Sequence, residues 1–273
     1  MRILALFVLL SGSCWSFAQT QHPLLLQMLE KAEAVDYGSY RITASEQYPY
    51  SKDTIFYTGH CAFSRFEHLD GKPGIRYDVD METRHPHQLN RLRYVFDGRM
   101  KCELRNDTLA LLYDGRALGD EYVLRGLANF FFIPLMLHPE QVRKYLGPDK
   151  YLGTPPYETL GDTLIGKTPC TLVGANWSLD STDQIRQHIL FAISKESGLP
   201  VYFKHITETR SEDQQAAPPQ KHRLEIRIED WTRALPVNSF YIDWPSLPPS
   251  FEVRHFYDCY NRELLRPRNQ PQL

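Results

Sequence analysis

Ile75-Arg76-Tyr77-Asp78-Val79-Asp80-Met81 is the stretch that sets the fold class. Successive side chains of a strand point to opposite faces, so Ile75, Tyr77, Val79 and Met81 share one face and Arg76, Asp78 and Asp80 the other. One face meets an apolar interior and the other meets water. Leu224, Ile226 and Ile228 alternate in the same way with Glu225, Arg227 and Glu229. Outward from Ile75–Met81, short aromatic or β-branched segments lie near residues 39–48, 53–66, 91–97, 99–105 and 108–114. Turn chemistry separates them, as at Asp70-Gly71-Lys72-Pro73-Gly74, Asp97-Gly98 and Asn106-Asp107. A second strand group follows residue 160, at 168–175, 186–194, 200–209 and 221–232. Spacing this close leaves no room for crossover helices, so neighbouring strands are expected to pair antiparallel.

Two segments break the two-residue period. After His22-Pro23, the residues Leu25, Met28, Leu29 and Ala32 recur at the spacing of one helical face, which predicts an N-terminal helix closing over one end of the sheet. Between the strand groups, Tyr122 to Leu146 holds Leu124, Leu127, Phe130, Phe131, Ile133, Leu135, Met136 and Leu137, too continuous for a surface helix. Pro134 ends or kinks it, and Pro139 suits the first position of a second short helix that stops at Gly147-Pro148. The expectation is a broken apolar helix against the concave side of a curved sheet. Core filler and lining of a ligand cavity both fit that pattern.

At 273 residues and 42% hydrophobic, the chain can bury a sizeable core in one large β domain. Its 31 basic and 33 acidic residues leave a formal charge of -2, so no global field recruits nucleic acid or an anionic membrane. Residues 1–18 read as an export signal: Arg2, the apolar run Ile3 to Leu10, and small residues in Ser16-Phe17-Ala18. Eight apolar residues cannot cross a hydrocarbon core of roughly 30 Å, so no transmembrane segment is expected. A periplasmic or secreted destination follows, with lipidation of Cys14 as the alternative that would tether the chain. In an oxidising compartment Cys61, Cys102, Cys170 and Cys259 can form two disulfides, or stay as buried thiols packed like small apolar groups.

Catalytic motifs are weak. Gly161-Asp162-Thr163-Leu164-Ile165-Gly166-Lys167-Thr168 satisfies the phosphate-loop pattern, which works only between a buried strand and a helix. Here Pro155-Pro156 precedes it, and Pro169 and a β pattern follow, so it reads as strand and turn. His85-Pro86-His87 lacks further convergent ligands and reads as a solvated loop. No G-x-S-x-G elbow occurs, the sequence singles out no Ser, His and acid trio, and no metal or cofactor is implied.

Three stretches resemble the LolA-like family of periplasmic lipoprotein carriers. They are Leu92-Arg93-Tyr94-Val95-Phe96-Asp97-Gly98-Arg99, a strand with an Asp-Gly turn; Ile189 to Val201 with its Gly198-Leu199-Pro200 hairpin; and Asn238 to Pro245, an aromatic closing strand that ends at a proline. The resemblance spans roughly Leu24 to Phe251. It implies a mainly β fold, a curved and nearly closed antiparallel sheet (a half-barrel), with the N-terminal helix and the broken apolar helix on its concave side. It also implies a non-enzymatic binding protein with an apolar cavity for lipid or acyl chains. Phe130, Phe131, Ile133, Leu135 and Met136 would line it together with strand residues Tyr77, Val79, Leu224, Ile226 and Ile228. A lipid or lipidated protein is the expected partner. The divisions expected are 1–18 signal, 19–250 β domain and 251–273 tail. Related domains stand ahead of thioredoxin-like modules in exported proteins of Bacteroidetes-type bacteria, so an envelope interaction domain with a packed core and a protein partner is the second reading.

Overall fold

The computed structural model describes residues 22–49, 51, 53–67, 73–86, 88–114, 156–178, 185–210, 219–237, 239–256 and 263–264. One helix opens the described chain, α1 (Pro23–Glu33). Pro23 occupies its first turn, where a missing N–H costs nothing, and Leu25, Met28, Leu29 and Ala32 form its buried face. Six strands follow: β1 (Tyr37–Gln47), β2 (Thr54–Glu67), β3 (Pro73–His85), β4 (Gln88–Phe96), β5 (Met100–Arg105) and β6 (Leu109–Asp114). The second group is β7 (Glu158–Ile165), β8 (Thr168–Ser178), β9 (Ile185–Ser194), β10 (Pro200–Thr209) and β11 (Gln220–Thr232). Two short strands end it, β12 (Glu252–Phe256) and the two-residue β13 (Glu263–Leu264).

All of them belong to one sheet, ordered β13-β12-β6-β5-β4-β3-β2-β1-β11-β10-β9-β8-β7. The two strand groups thus meet where β1 pairs with β11, Ile42 opposite Ile228 and Ala44 opposite Ile226. The sheet is curved but open, with β13 and β7 at its two ends, so it does not close on itself.

The inner face is defined by a single apolar core. It takes Tyr40, Ile42 and Ala44 from β1, Cys61 and Phe63 from β2, and Ile75, Tyr77, Val79 and Met81 from β3. Tyr94 and Phe96 of β4, Val173 of β8, Phe191 of β9, Phe203 of β10 and Ile226 and Ile228 of β11 complete the wall around α1. Each fully buried side chain of this size contributes about 1.5–3 kcal/mol. Close packing sets individual residues: a Cβ on Gly59 would lie 2.1 Å from Met81 Sδ, and one on Gly38 would lie 2.7 Å from the Trp231 ring. Trp231 in turn packs on Tyr40 and Phe63, with ring centroids 6.0 Å from each.

Several expectations change. Every adjacent pair is antiparallel except β6 and β12, which run parallel, Leu109 opposite Glu252. The reason is the connection after β11. It starts at the middle of the sheet, where Ser39 Oγ donates to the Ala234 carbonyl (2.8 Å) on the outer side, and reaches the far edge beyond β6. A long crossing, unlike a hairpin, can deliver a strand in either direction. Within that crossing the segment read as a closing aromatic strand forms turns and a single 3-10 turn at Trp244–Ser246, with no ladder partner. The segment read as a tail instead supplies β12 and β13 to the sheet. The expected signal, the insertion at 122–146 and Cys259 lie outside the described residues. No helix among the described residues is long and apolar enough to cross a membrane.

Candidate functional site on the inner face

Cross-strand register places the five strand residues singled out from sequence on one face. Tyr77, Val79, Ile226 and Ile228 are buried in the core with α1, and Leu224 packs half-buried at its margin. Phe130, Phe131, Ile133, Leu135 and Met136, expected to form the opposite wall, lie outside the described residues. Three surface depressions of about 400, 570 and 710 Å³ occur among the described residues. None of the three is walled by Tyr77, Val79, Leu224 or Ile226; Ile228 borders the largest, beside Lys167, Ser197 and Glu229.

The helix covers one end of this face. Lys31 packs against Gly198 in the β9–β10 turn, and the Glu33 carbonyl accepts a hydrogen bond from Arg65 Nη1 (2.6 Å), both at the end where β1 begins. An 11-residue helix is about 16 Å long. Strands β1, β2, β3 and β11 run for 11, 14, 13 and 13 residues, roughly 36–46 Å. The start of α1 reaches further: His22 Nε2 lies 3.2 Å from Thr159 Oγ1, in the row of Val173, Phe191, Phe203, Ile226 and Ala44, so β9, β10 and β11 extend six residues, roughly 20 Å, past the helix, and β1 and β2 only three.

Towards the far end the inner-facing rows turn polar together. β1 reads Tyr40, Ile42, Ala44, Glu46 along its inner side, and β11 reads Ile228, Ile226, Leu224, His222. β10 continues Phe203, His205, Thr207, and β9 continues Phe191, Ile189, Gln187. Glu46 is only 4% exposed, and its carboxylate accepts from the Tyr57 hydroxyl (2.8 Å) and pairs with His222 Nε2 (2.9 Å). Burial, together with the Glu46 hydrogen bond and charge, pushes the Tyr57 hydroxyl far above the ordinary tyrosine range, and Tyr48 is raised by the same causes. His205 Nε2 bonds Gln187 Oε1, which also accepts from Thr207 Oγ1 (3.1 Å). Burial, then the neighbouring His222, lowers His205 from 6.5 to about 4, so its imidazole is neutral at pH 7.

A second charged row faces inward on β5. Lys101, Glu103 and Arg105 lie opposite Phe96, Tyr94 and Leu92, so they share the core face. Lys101 is 2% exposed, with Nζ 3.1 Å from Glu103 and lying over the Tyr94 and Tyr113 rings at 5.7 and 5.9 Å. Arg105 reaches the other Glu103 oxygen at 2.9 Å.

Sequence reasoning missed both polar groups because it searched the rows for apolar residues. The usable signal was a polar residue where each alternating row calls for an apolar one.

The remaining candidates resolve as follows. Cys61, Cys102 and Cys170 are free and buried, so no bridge joins them, and Cys259 lies outside the described residues. Burial raises all three thiols, which makes them poor nucleophiles. The phosphate-loop match forms the β7–β8 hairpin: Gly166, at φ 60°, and Lys167 make the turn, with Ile165 opposite Thr168 and no helix after it. His85 ends β3, half-buried, and His87 lies outside the described residues. Among the described residues no three His, Cys, Asp or Glu side chains are grouped to hold a metal. Asp78 is held by Arg93 through two hydrogen bonds of 3.0 and 2.7 Å, a structural pair on the outer face.

No model of a known protein family matches the chain, and no curated protein matches it. Among solved structures it is similar to LprF from Mycobacterium bovis, with 9% identity over 79% of this chain and 94% of that one and a TM-score of 0.39. A chain of the Pseudomonas aeruginosa MucA/MucB complex is 16% identical over 79% of this chain and 58% of its own length, with a TM-score of 0.34. A LolA superfamily protein from Nitrosomonas europaea is 10% identical over 82% of this chain and 99% of its own, with a TM-score of 0.21.

Proposed function

We propose that this chain is an exported, non-enzymatic binding protein that holds an acyl chain or other lipid tail against the inner face of its sheet, beyond α1. The observation that carries the reading is the mismatch of lengths. Beyond the row that the start of α1 reaches, β9, β10 and β11 run on for roughly 20 Å, and the half-buried apolar residues Leu224 and Ile189 continue past the core that the helix covers. Such a surface favours an apolar cover, and a lipid tail supplies one. Each methylene moved from water onto that wall adds about 0.8 kcal/mol. Specificity along the tail is loose, since the wall offers shape and no hydrogen bonds.

Titration of the full chain with a fluorescent long-chain acyl probe tests this. Leu224→Glu places a charge on the wall at a half-buried position, and the expected result is at least a tenfold loss of probe affinity with the fold retained by circular dichroism. Saturable binding unchanged by the substitution would place the ligand elsewhere.

A packed interaction domain is the second reading, and the density of the α1 end favours it: Met28, Leu29 and Ala32 are essentially inaccessible against the sheet. It expects no lipid at all and a saturable protein partner.

A further inference from the structure

We propose that the far end of the inner face receives the head of an amphiphile that carries hydrogen-bond donors and no negative charge, such as the glycerol hydroxyls of a monoacylglycerol. The inference rests on the acyl-binding reading and adds to it the chemistry of the head and the direction in which the ligand lies.

The geometry is a row of acceptors at the end of an apolar wall. Glu46 at the end of β1 is held by Tyr57 from β2 and His222 from β11, with Tyr48 against the His222 ring (centroids 5.3 Å), and Gln187 on β9 is bonded to His205 and Thr207 on β10, where Leu224 and Ile189 end the apolar rows. A tail lying on Leu224, Ile189 and Ile226 brings its head to these groups.

Charge then selects the head. Among the described residues, no lysine or arginine points inward from this end of β1, β2, β9, β10 or β11. Arg41, Arg186, Lys204, Lys221, Arg223 and Arg227 alternate with the inward residues and project from the outer face. There they are engaged with acids, Lys221 with Glu208 at 2.6 Å, Lys204 with Glu225 at 3.6 Å and Arg41 with Glu229 at 2.6 Å. Inside, among the described residues, the acid at this end is Glu46. His222 is its hydrogen-bonded partner, and His205 remains neutral at pH 7. The inward charges of β5, Lys101, Glu103 and Arg105, lie four strands from β1, about 19 Å away. An anionic head placed at Glu46 gives up its hydration and meets a buried carboxylate, with no lysine or arginine among the described residues facing it to offset either loss. Hydroxyl or amide donors meet acceptors.

Two probes separate charge from every other property: 1-palmitoylglycerol and its phosphate ester, palmitoyl lysophosphatidate, which share one tail and one glycerol. Displacement of a fluorescent acyl probe from the full chain at pH 7 is expected to give at least tenfold tighter binding for the uncharged lipid. Glu46→Gln is expected to shrink that ratio to within threefold by improving the phosphate ester, and Gln187→Glu to widen it. Circular dichroism and melting temperature check that both variants fold, and the ratio for the unaltered chain stands without them. Equal affinity for the two lipids, or tighter binding of the phosphate ester, overturns this inference while leaving acyl binding intact. If neither lipid displaces the probe and the probe itself does not bind, the acyl reading fails and this one falls with it.

Discussion

The two ends of the inner face are built from the same strands and differ in what covers them. At the end where β1 begins, Tyr40, Ile42, Ile228 and Phe191 meet α1 and are almost wholly inaccessible. At the other end, past the reach of an 11-residue helix, the same rows finish in Glu46, His222, Thr207 and Gln187, tied to one another by hydrogen bonds. A side chain that must be buried against a fixed partner is apolar, because an unpaired polar group there costs several kcal/mol. On β1, β9, β10 and β11 the inward polar residues cluster past the reach of the helix, whereas on β5 the inward Lys101 and Glu103 lie at the α1 end and are paired with each other. The comparison teaches that the sheet has a structural end and an end free to do something else.

Substitutions test that division, beginning at the structural end. Phe191→Ala removes a ring packed 5.1 Å from Phe203 and fully buried. The expected cost is about 3–5 kcal/mol of unfolding free energy, read by urea denaturation. If the division is real, the preference between the two lipid heads stays the same in whatever fraction remains folded.

At the other end, acid gives the next largest effect. His205 binds its proton with a pKa near 4 when folded, against 6.5 ordinarily. Between those values the unfolded chain holds more protons, so stability falls as pH drops from about 6.5 to about 4, by roughly 3 kcal/mol in all, and levels off below. Thermal unfolding followed from pH 7 to pH 4 should show this slope, and His205→Gln should remove that part of it. An unchanged slope in the variant would mean that the imidazole is not held neutral by its surroundings.

Smaller changes follow. Tyr57→Phe takes a donor from the buried Glu46 carboxylate and is expected to cost about 1–3 kcal/mol by the same denaturation measurement. Arg41→Ala, on the outer face, breaks an exposed pair with Glu229 and should cost less than about 1 kcal/mol. If Arg41→Ala cost as much as Tyr57→Phe, burial of the polar network would not be what distinguishes the inner face.

How much of this was readable from sequence depends on the range of the interaction involved. Alternation is local, so Ile75 to Met81 identified β3 and its inward face, and the Leu25, Met28, Leu29, Ala32 spacing identified α1. Sheet order is not local: β1 joins β11 across the whole chain, and the pairing of Glu46 with His222 spans 176 residues. No pattern in one strand shows which polar residue another strand will set beside it. The parallel β12 was illegible for a related reason, since its five residues carry little periodicity and its place is fixed by where a long connection ends. The Asn238 to Pro245 stretch has the aromatic composition of a strand without a neighbour to pair with, and composition alone does not supply the ladder.

The central claim, that a lipid tail covers the far end of the inner face, is tested most directly by the mass of the intact protein. Native mass spectrometry of the full chain, purified without detergent from cells that export it, should show a species heavier than the polypeptide by the mass of one acyl-bearing molecule, released on collisional activation and lost in Leu224→Glu. A folded protein that carries only its own polypeptide mass, and stays so after incubation with monoacylglycerol, would contradict the account.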